Sequence, residues 1–201
     1  AIECSILKVA VSEDVQHCAD EGIQIFGGMG FSGDTPMEAA WRDARIARIY
    51  EGTNEINRMI CIGMLIKKAM KGHVDLLGPA MAVQEELMGI PSFDTPDYSA
   101  PLSQEKAIIK NLKKVFLMVA GAGIQKFGPK IEEHQQLILN AADILIEIYM
   151  VESAILRTEK NIQRFGEESQ KHQIEMSQLY LYNAVEIISK SAKSGIISFA
   201  E

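Results

Sequence analysis

Cysteine is scarce: Cys4, Cys18 and Cys61 are the only three in 201 residues. They are odd in number and unclustered, which excludes a disulfide framework and reads as reduced intracellular thiols. There is no CxxC, and the adjacent His17 and Cys18 have no second ligand pair in sequence, so no metal site is expected. Aromatic residues make up 6 % and tryptophan occurs once. Positive charge is also short, with 20 Lys and Arg against 27 Asp and Glu and a net charge of −7. That balance argues against a general nucleic-acid binder. No apolar run reaches the length of a membrane span, and there is no signal-peptide layout, internal repeat or low-complexity tract.

What is present is aliphatic. Hydrophobic residues make up 47 %, enough for a sizeable core, and the paucity of strand formers favours an all-α fold. Ile6, Val9, Ala10, Val15 and Ile23 give a loose helical stripe over about 2–25, broken by Gly27, Gly28, Gly30 and Gly33. Thr35-Pro36-Met37-Glu38 predicts a helix start, with Thr35 as N-cap, Pro36 at the first position and Glu38 closing a capping box, and the helix runs to about Ile49. Thr53 caps the next helix, about 54–71, with Lys67, Lys68 and Lys71 near its C-terminal end. A short helix fits about 79–89, and the proline-containing stretch 89–103 reads as a linker.

Ser103 is the expected cap of a helix over about 104–127, ended by Gly128-Pro129. Residues 131–165 carry apolar positions at Leu137, Ala141, Ile144, Ile148, Val151 and Ile155, the spacing of a buried helix face. Thirty-five residues make an unusually long helix, so a hidden break stays open. A final helix is predicted over about 168–194, ended by Gly195. These three long helices must pack as a bundle to cover their stripes. Lys106, Lys110, Lys113 and Lys114 fall on one helical arc, opposite Ile108, Leu112, Val115, Phe116 and Val119. That arc is read as a solvated face, with attachment to an anionic membrane surface as the functional alternative. Trp41 and most of the ten methionines are read as core. Arg42, Asp43, Arg45 and Arg48 are read as helix-surface ion pairs.

Two stretches invite a functional reading. Gly28-x-Gly30-x-x-Gly33 formally matches GxGxxG, and an acid, Glu51, follows at about the ~20-residue distance of a dinucleotide fingerprint. The context fails, because a helical stripe, not a strand, precedes it. A plain tight connection and a close backbone approach to a ligand both remain open there. The second stretch is Ile49-Tyr50-Glu51-Gly52-Thr53-Asn54. Its acid is either a solvated turn residue or a base held at a helix start. A carboxylate moved into apolar, water-poor surroundings gains basicity. Gly52 lets a substrate lie against the backbone, and the helix N-terminus supplies N–H donors and positive potential.

Residues 24–60, QIFGGMGFSGDTPMEAAWRDARIARIYEGTNEINRMI, resemble the C-terminal signature of the acyl-CoA dehydrogenase family. The elements Q-x-x-GG-x-G-F, then P, R-D-A-R-I and I-Y-E-G-T-x-E-I-x-R occur in order and at family spacing. The resemblance covers about residues 3–70. The remainder more loosely resembles the extra helical domain of the very-long-chain branch.

The resemblance implies an FAD enzyme that oxidises fatty acyl-CoA to trans-2-enoyl-CoA in fatty acid β-oxidation and passes electrons to an electron-transferring flavoprotein. It implies Glu51 as the base that removes the α-proton, with its N–H assisting at the thioester carbonyl, and Tyr50 and Gly52 at the thioester end of the substrate. Gln24, Gly27 and Gly28 would contact FAD across a subunit interface, and Thr53 and Glu55 would lie beside its phosphates and adenosine. Some branches have Gln at the position of Glu55.

The implied organisation is 1–72 as the end of the catalytic helical domain, 73–102 as a short helix and linker, and 103–201 as an appended bundle. On this reading the chain is a C-terminal fragment that binds FAD poorly by itself and has no turnover. The complete enzyme would be a homodimer or homotetramer in the bacterial cytoplasm or, alternatively, in the mitochondrial matrix at the inner-membrane face. Peripheral membrane contact belongs to the same expectation. The competing readings are a non-catalytic helical interaction or membrane-docking module, and an acyl-CoA oxidase that uses oxygen.

Overall fold

The computed structural model describes residues 1–89 and 98–200. Most of the predicted linker, residues 90–97, therefore lies outside the described residues. Eight α-helices and no strand occur among the described residues, so the all-α expectation holds. They fall into two compact units, 1–65 and 66–201, divided within the fourth helix.

In the first unit α1 (Ile2–Phe26) packs on α3 (Pro36–Ala47), and the one-turn helix α2 (Gly28–Phe31) sits between them in sequence and touches both. Ile6, Val9 and Ala19 of α1 and Ala44 of α3 are buried. Val15, expected on that face, is about half exposed. It belongs to a second stripe, Leu7, Val11 and Val15, whose i, i+4, i+8 spacing gives α1 a separate exposed apolar face. The glycine stretch is not an open loop. Gly27 takes a left-handed φ of 60° and ends α1, after which the chain makes one helical turn.

The predicted capping box does not form. Thr35 occupies the N-cap position, but its hydroxyl donates to the Met29 carbonyl at 2.7 Å, and Glu38 instead pairs with Arg42 one turn on. Pulling the hydroxyl back onto α2 fixes the α2–α3 connection at the expense of the cap. Trp41 is not core. It is partly exposed and its indole N–H donates to Asp20 of α1. The methionines also depart from expectation, since Met29, Met70, Met81, Met88, Met118 and Met176 are all exposed.

In the second unit α6 (Ser103–Phe127), α7 (Gln135–Phe165) and α8 (Lys171–Ala200) form the expected bundle, and α5 (Leu77–Met88) packs on α6. All six predicted α7 positions, Leu137 through Ile155, are buried. They meet Ile109, Leu112, Phe116 and Val119 of α6 and Leu181, Ala184 and Ile188 of α8 in one core. The break within 131–165 exists: a 3-10 turn over Gly128–Glu133 ends at His134, whose ring stacks on Phe127 with centroids 3.6 Å apart.

Two expectations fail here. Ser103 is not the cap of α6. Leu102 holds that position at a left-handed φ of 60°, and the Ser103 hydroxyl is buried without a partner among the described residues. Gly195 does not end α8, which runs past it. A Cβ there would meet Val119 Cγ1 at 3.1 Å, so the glycine serves close helix packing instead of termination. The lysine arc of α6 is a solvated face as expected, with Lys106, Lys110 and Lys113 exposed, and three of its cations also form ion pairs. Lys106, Lys113 and Lys114 pair with Glu159, Glu152 and Glu86 at 2.5, 2.5 and 2.6 Å. These cations tie α6 to α7 and α5. No described helix is long and apolar enough to cross a membrane.

Candidate functional site

Helix α3 stops at Ala47 and α4 (Asn54–Met70) starts seven residues on. The intervening turn is closed at its base by the Asn54 N–H, which donates to the Arg48 carbonyl at 3.1 Å. At its tip Glu51 has φ 54° and Gly52 φ 79°. The left-handed region costs a residue with a Cβ about 1–2 kcal/mol, and glycine none. A carboxylate residue held there is an outlier that its surroundings must enforce. Thr53 behaves as predicted, with its hydroxyl accepting the Ile56 N–H at 3.3 Å. The Glu51 N–H has no acceptor among the described residues.

Beneath the turn lies a polar network that sequence reasoning missed. Asn54 is 1 % exposed. Its carbonyl oxygen accepts from Lys8 Nζ at 2.6 Å and from the Ser12 hydroxyl at 3.2 Å, and its amide nitrogen donates to Ser12 and to Glu13, both at 3.0 Å. Glu13 in turn receives a two-pronged bond from Arg58, at 2.8 and 2.9 Å. Burial pushes the Glu13 carboxyl up, but bonds from Arg58 and Asn54 and the charges of Arg58 and Arg48 outweigh it and hold it below its ordinary value. Burial lowers Lys8, offset in part by Glu55 and Glu13. The signal was available. Ser12-Glu13 stands on a helix, and Asn54, Asn57 and Arg58 fall on one face of the next at spacings of three and four, where the apolar stripe would otherwise continue.

The turn overlooks a shallow concavity of about 700 Å³. Leu7, Val11 and Val15 of α1, Ala44 and Ala47 of α3, Tyr50 and Glu51 line it, with Lys8 at the α1 side. Of the predicted site residues, Tyr50 and Glu51 stand at the edge of this surface, and Gly52, Thr53 and Glu55 follow them in the turn and the start of α4. Glu51 itself is exposed, so the water-poor surroundings expected of a base are not supplied by the described residues. The exposed Glu55 carboxyl lies below its ordinary value because its own backbone N–H and the Thr53 hydroxyl donate to it.

Gln24, Gly27 and Gly28 are not part of this edge. Gln24 stands near the far end of α1, about 24 Å from Lys8 at ~1.5 Å per residue, and Gly27 and Gly28 follow that helix. Gln24 is exposed, and nothing lies within 4 Å of where a Cβ would stand on Gly27 or Gly28, leaving the backbone open to close approach. One chain therefore presents two separate patches. No group of three or more acidic, His or Cys side chains able to hold a metal occurs among the described residues.

Comparison with known proteins places these observations. Two family models, both described as acyl-CoA dehydrogenase, C-terminal domain, match residues 1–65 and 111–201. A probable acyl-CoA dehydrogenase of Bacillus subtilis (strain 168) is 43 % identical over 201 residues, all of this chain and 34 % of the relative. The very long-chain specific acyl-CoA dehydrogenase of rat mitochondria is 31 % identical over 178 residues, 80 % of this chain and 27 % of its own length. The human short-chain specific enzyme is 45 % identical over 65 residues, 32 % of this chain and 16 % of its own. The crystal structure of an acyl-CoA dehydrogenase complexed with FAD from Bacillus anthracis superposes with a TM-score of 0.92 at 42 % identity, covering 100 % of this chain and 33 % of that one. The chain thus spans about a third of the length of the relatives that match all of it. It belongs to the acyl-CoA dehydrogenase family.

Proposed function

We propose that the chain is the C-terminal part of an FAD-dependent acyl-CoA dehydrogenase that converts fatty acyl-CoA to trans-2-enoyl-CoA, with Glu51 as the base. The observation that carries this reading is the left-handed φ of Glu51 at the rim of an apolar concavity. A strained carboxylate beside Gly52, over a buried network that fixes the turn, suits a base whose position matters. Tyr50 and Gly52 flank the thioester, and the Glu51 N–H is available to its carbonyl oxygen. The Leu7, Val11 and Val15 face is suited to an apolar covering that excludes water from Glu51.

The residues present fit a bound FAD. The open backbone at Gly27 and Gly28 permits close approach of a pyrophosphate, and Gln24 offers an amide beside it. The ionised Glu55 suits hydroxyl or amine donors of the adenosine better than a phosphate. That these two groups stand apart on one chain agrees with cofactor contacts drawn from two subunits, and so with a homo-oligomer. When bound, FAD supplies the acceptor for the two electrons and the β-hydrogen. Glu51 takes the α-proton onto a carboxylate oxygen, and the backbone N–H steadies the negative charge that develops on the thioester oxygen. Electron-transferring flavoprotein is the proposed acceptor of the electrons, in fatty acid β-oxidation in a bacterial cytoplasm or, alternatively, a mitochondrial matrix.

The test uses the complete gene product. Glu51→Gln retains flavin absorbance and acyl-CoA binding and loses turnover, and near-normal rates would reject the base. Peroxide released at the rate of substrate oxidation would reassign the enzyme as an oxidase.

A further inference from the structure

Among the described residues the turn that carries Glu51 is latched by three groups, and one of them is the Asn57 side chain. Asn57 is 8 % exposed and its amide turns back on the turn. Its Nδ2 donates to the Gly52 carbonyl at 2.8 Å and to the Thr53 carbonyl at 3.1 Å. The other two latches, Asn54 N–H to Arg48 and Ile56 N–H to the Thr53 hydroxyl, close the base of the turn and cap α4. Among the described residues only Asn57 grips the Gly52 peptide, the unit that follows the two left-handed residues. An amide nitrogen offers two N–H donors from one atom, which leucine, aspartate and serine cannot. A Cβ on Gly52 would stand 3.1 Å from that nitrogen, so the glycine also makes room for the approach. Asn57 stands in the first turn of α4, close enough in sequence for its side chain to reach back to the preceding turn.

We propose that Asn57 is a positioning residue, which by clamping the Gly52 and Thr53 carbonyls holds Glu51 in its left-handed conformation and aims the carboxylate at the substrate. This rests on the assignment of Glu51 as the base. Asn57 itself touches no substrate. Without the clamp Gly52 turns freely, and the base samples orientations of which few are productive.

The experiment is single-turnover bleaching of the flavin by acyl-CoA in the complete enzyme, for Asn57→Leu, Asn57→Ser and Glu51→Gln. Amide hydrogen exchange over residues 50–57 is measured in the same proteins. Asn57→Leu should lower the bleaching rate constant by about tenfold to a hundredfold, the range of a slightly misplaced reacting group. The bleached amplitude per bound flavin should stay at the wild-type value, and the turn amides should exchange about tenfold faster. Asn57→Ser, which keeps one donor, should fall between Leu and wild type. A structural role alone removes active molecules, lowering the amplitude and leaving the rate constant unchanged, and that result overturns the proposal. Wild-type exchange in Asn57→Leu also overturns it. If Glu51→Gln bleaches normally, the base assignment is what fails, and the exchange rates alone then decide whether Asn57 holds the turn.

Discussion

Replacing Asn54 by alanine tests whether the buried network is what fixes the candidate site. The bonds to the charged partners Lys8 and Glu13 and the one Asn54 donates to Ser12 are lost, together with a share of the single Ser12 hydroxyl proton, which Asn54 Oδ1 divides with the Val9 carbonyl. Ser12 retains the Val9 carbonyl at 3.1 Å, Glu13 retains Arg58, and Lys8, only part-buried, regains water. The net loss is therefore well below the gross sum, about 2 kcal/mol. At 1.36 kcal/mol per decade that is roughly a thirtyfold rise in opening. Native-state hydrogen exchange of the amides at 8–13 and 54–58 in the complete protein reads it directly. Asn54→Asp is the sharper control. It has the same shape, but it sets a carboxylate oxygen where the amide nitrogen now stands, 3.0 Å from Glu13 Oε1, so at neutral pH it should be at least as damaging. Exchange within twofold of wild type in both variants refutes the reasoning, since the turn would then be held by something other than this network.

The remaining predictions concern strain, charge and the thiols. Glu51→Gly should match or exceed the stability of Glu51→Gln by up to about 1 kcal/mol, because it relieves the left-handed strain against glycine's greater unfolded entropy. A thermal melt compares the two, and a less stable Gly variant would mean that φ 54° is not strained. Glu13 has its folded pKa depressed, so its contribution to stability is full above its ordinary value of 4.5 and is lost as pH falls through the lower folded value. Glu13→Gln should therefore flatten the acid limb of a stability–pH curve and lower the neutral plateau. An unchanged acid limb would remove Glu13 from the account. Burial pushes the Cys61 thiol up to about 11, while Cys18 is exposed. Mass-mapped alkylation at pH 8 should modify Cys18 and spare Cys61 until the protein is unfolded.

Helix existence was legible wherever a stripe was strict. In α7 the six apolar positions at spacings of three and four are all buried, and five more, Ile138, Asn140, Ala142, Ile146 and Thr158, are buried with them because the helix packs on both α6 and α8. Caps were less legible. Thr35 and Ser103 have the right chemistry at helix starts, but a hydroxyl bonds whatever carbonyl or amide lies nearest, and Met29 is nearest to Thr35. Gly195 could not be read as a spacer, since its neighbour Val119 is 76 residues away in sequence. The ion pairs of the solvated lysine arc of α6 were not legible, because the partners Glu152 and Glu159 lie on another helix.

The sequence by itself determined that the chain is helical, where its long helices run, and that Glu51 sits beside a glycine at a helix start. Those properties depend on neighbours within one or two turns. Tertiary structure decided that Glu51 adopts a left-handed φ, that Asn54 ties its turn to α1, and that Leu7, Val11 and Val15 form an apolar floor beside it. These depend on groups some forty residues apart meeting within hydrogen-bond distance, which only the packed chain brings about.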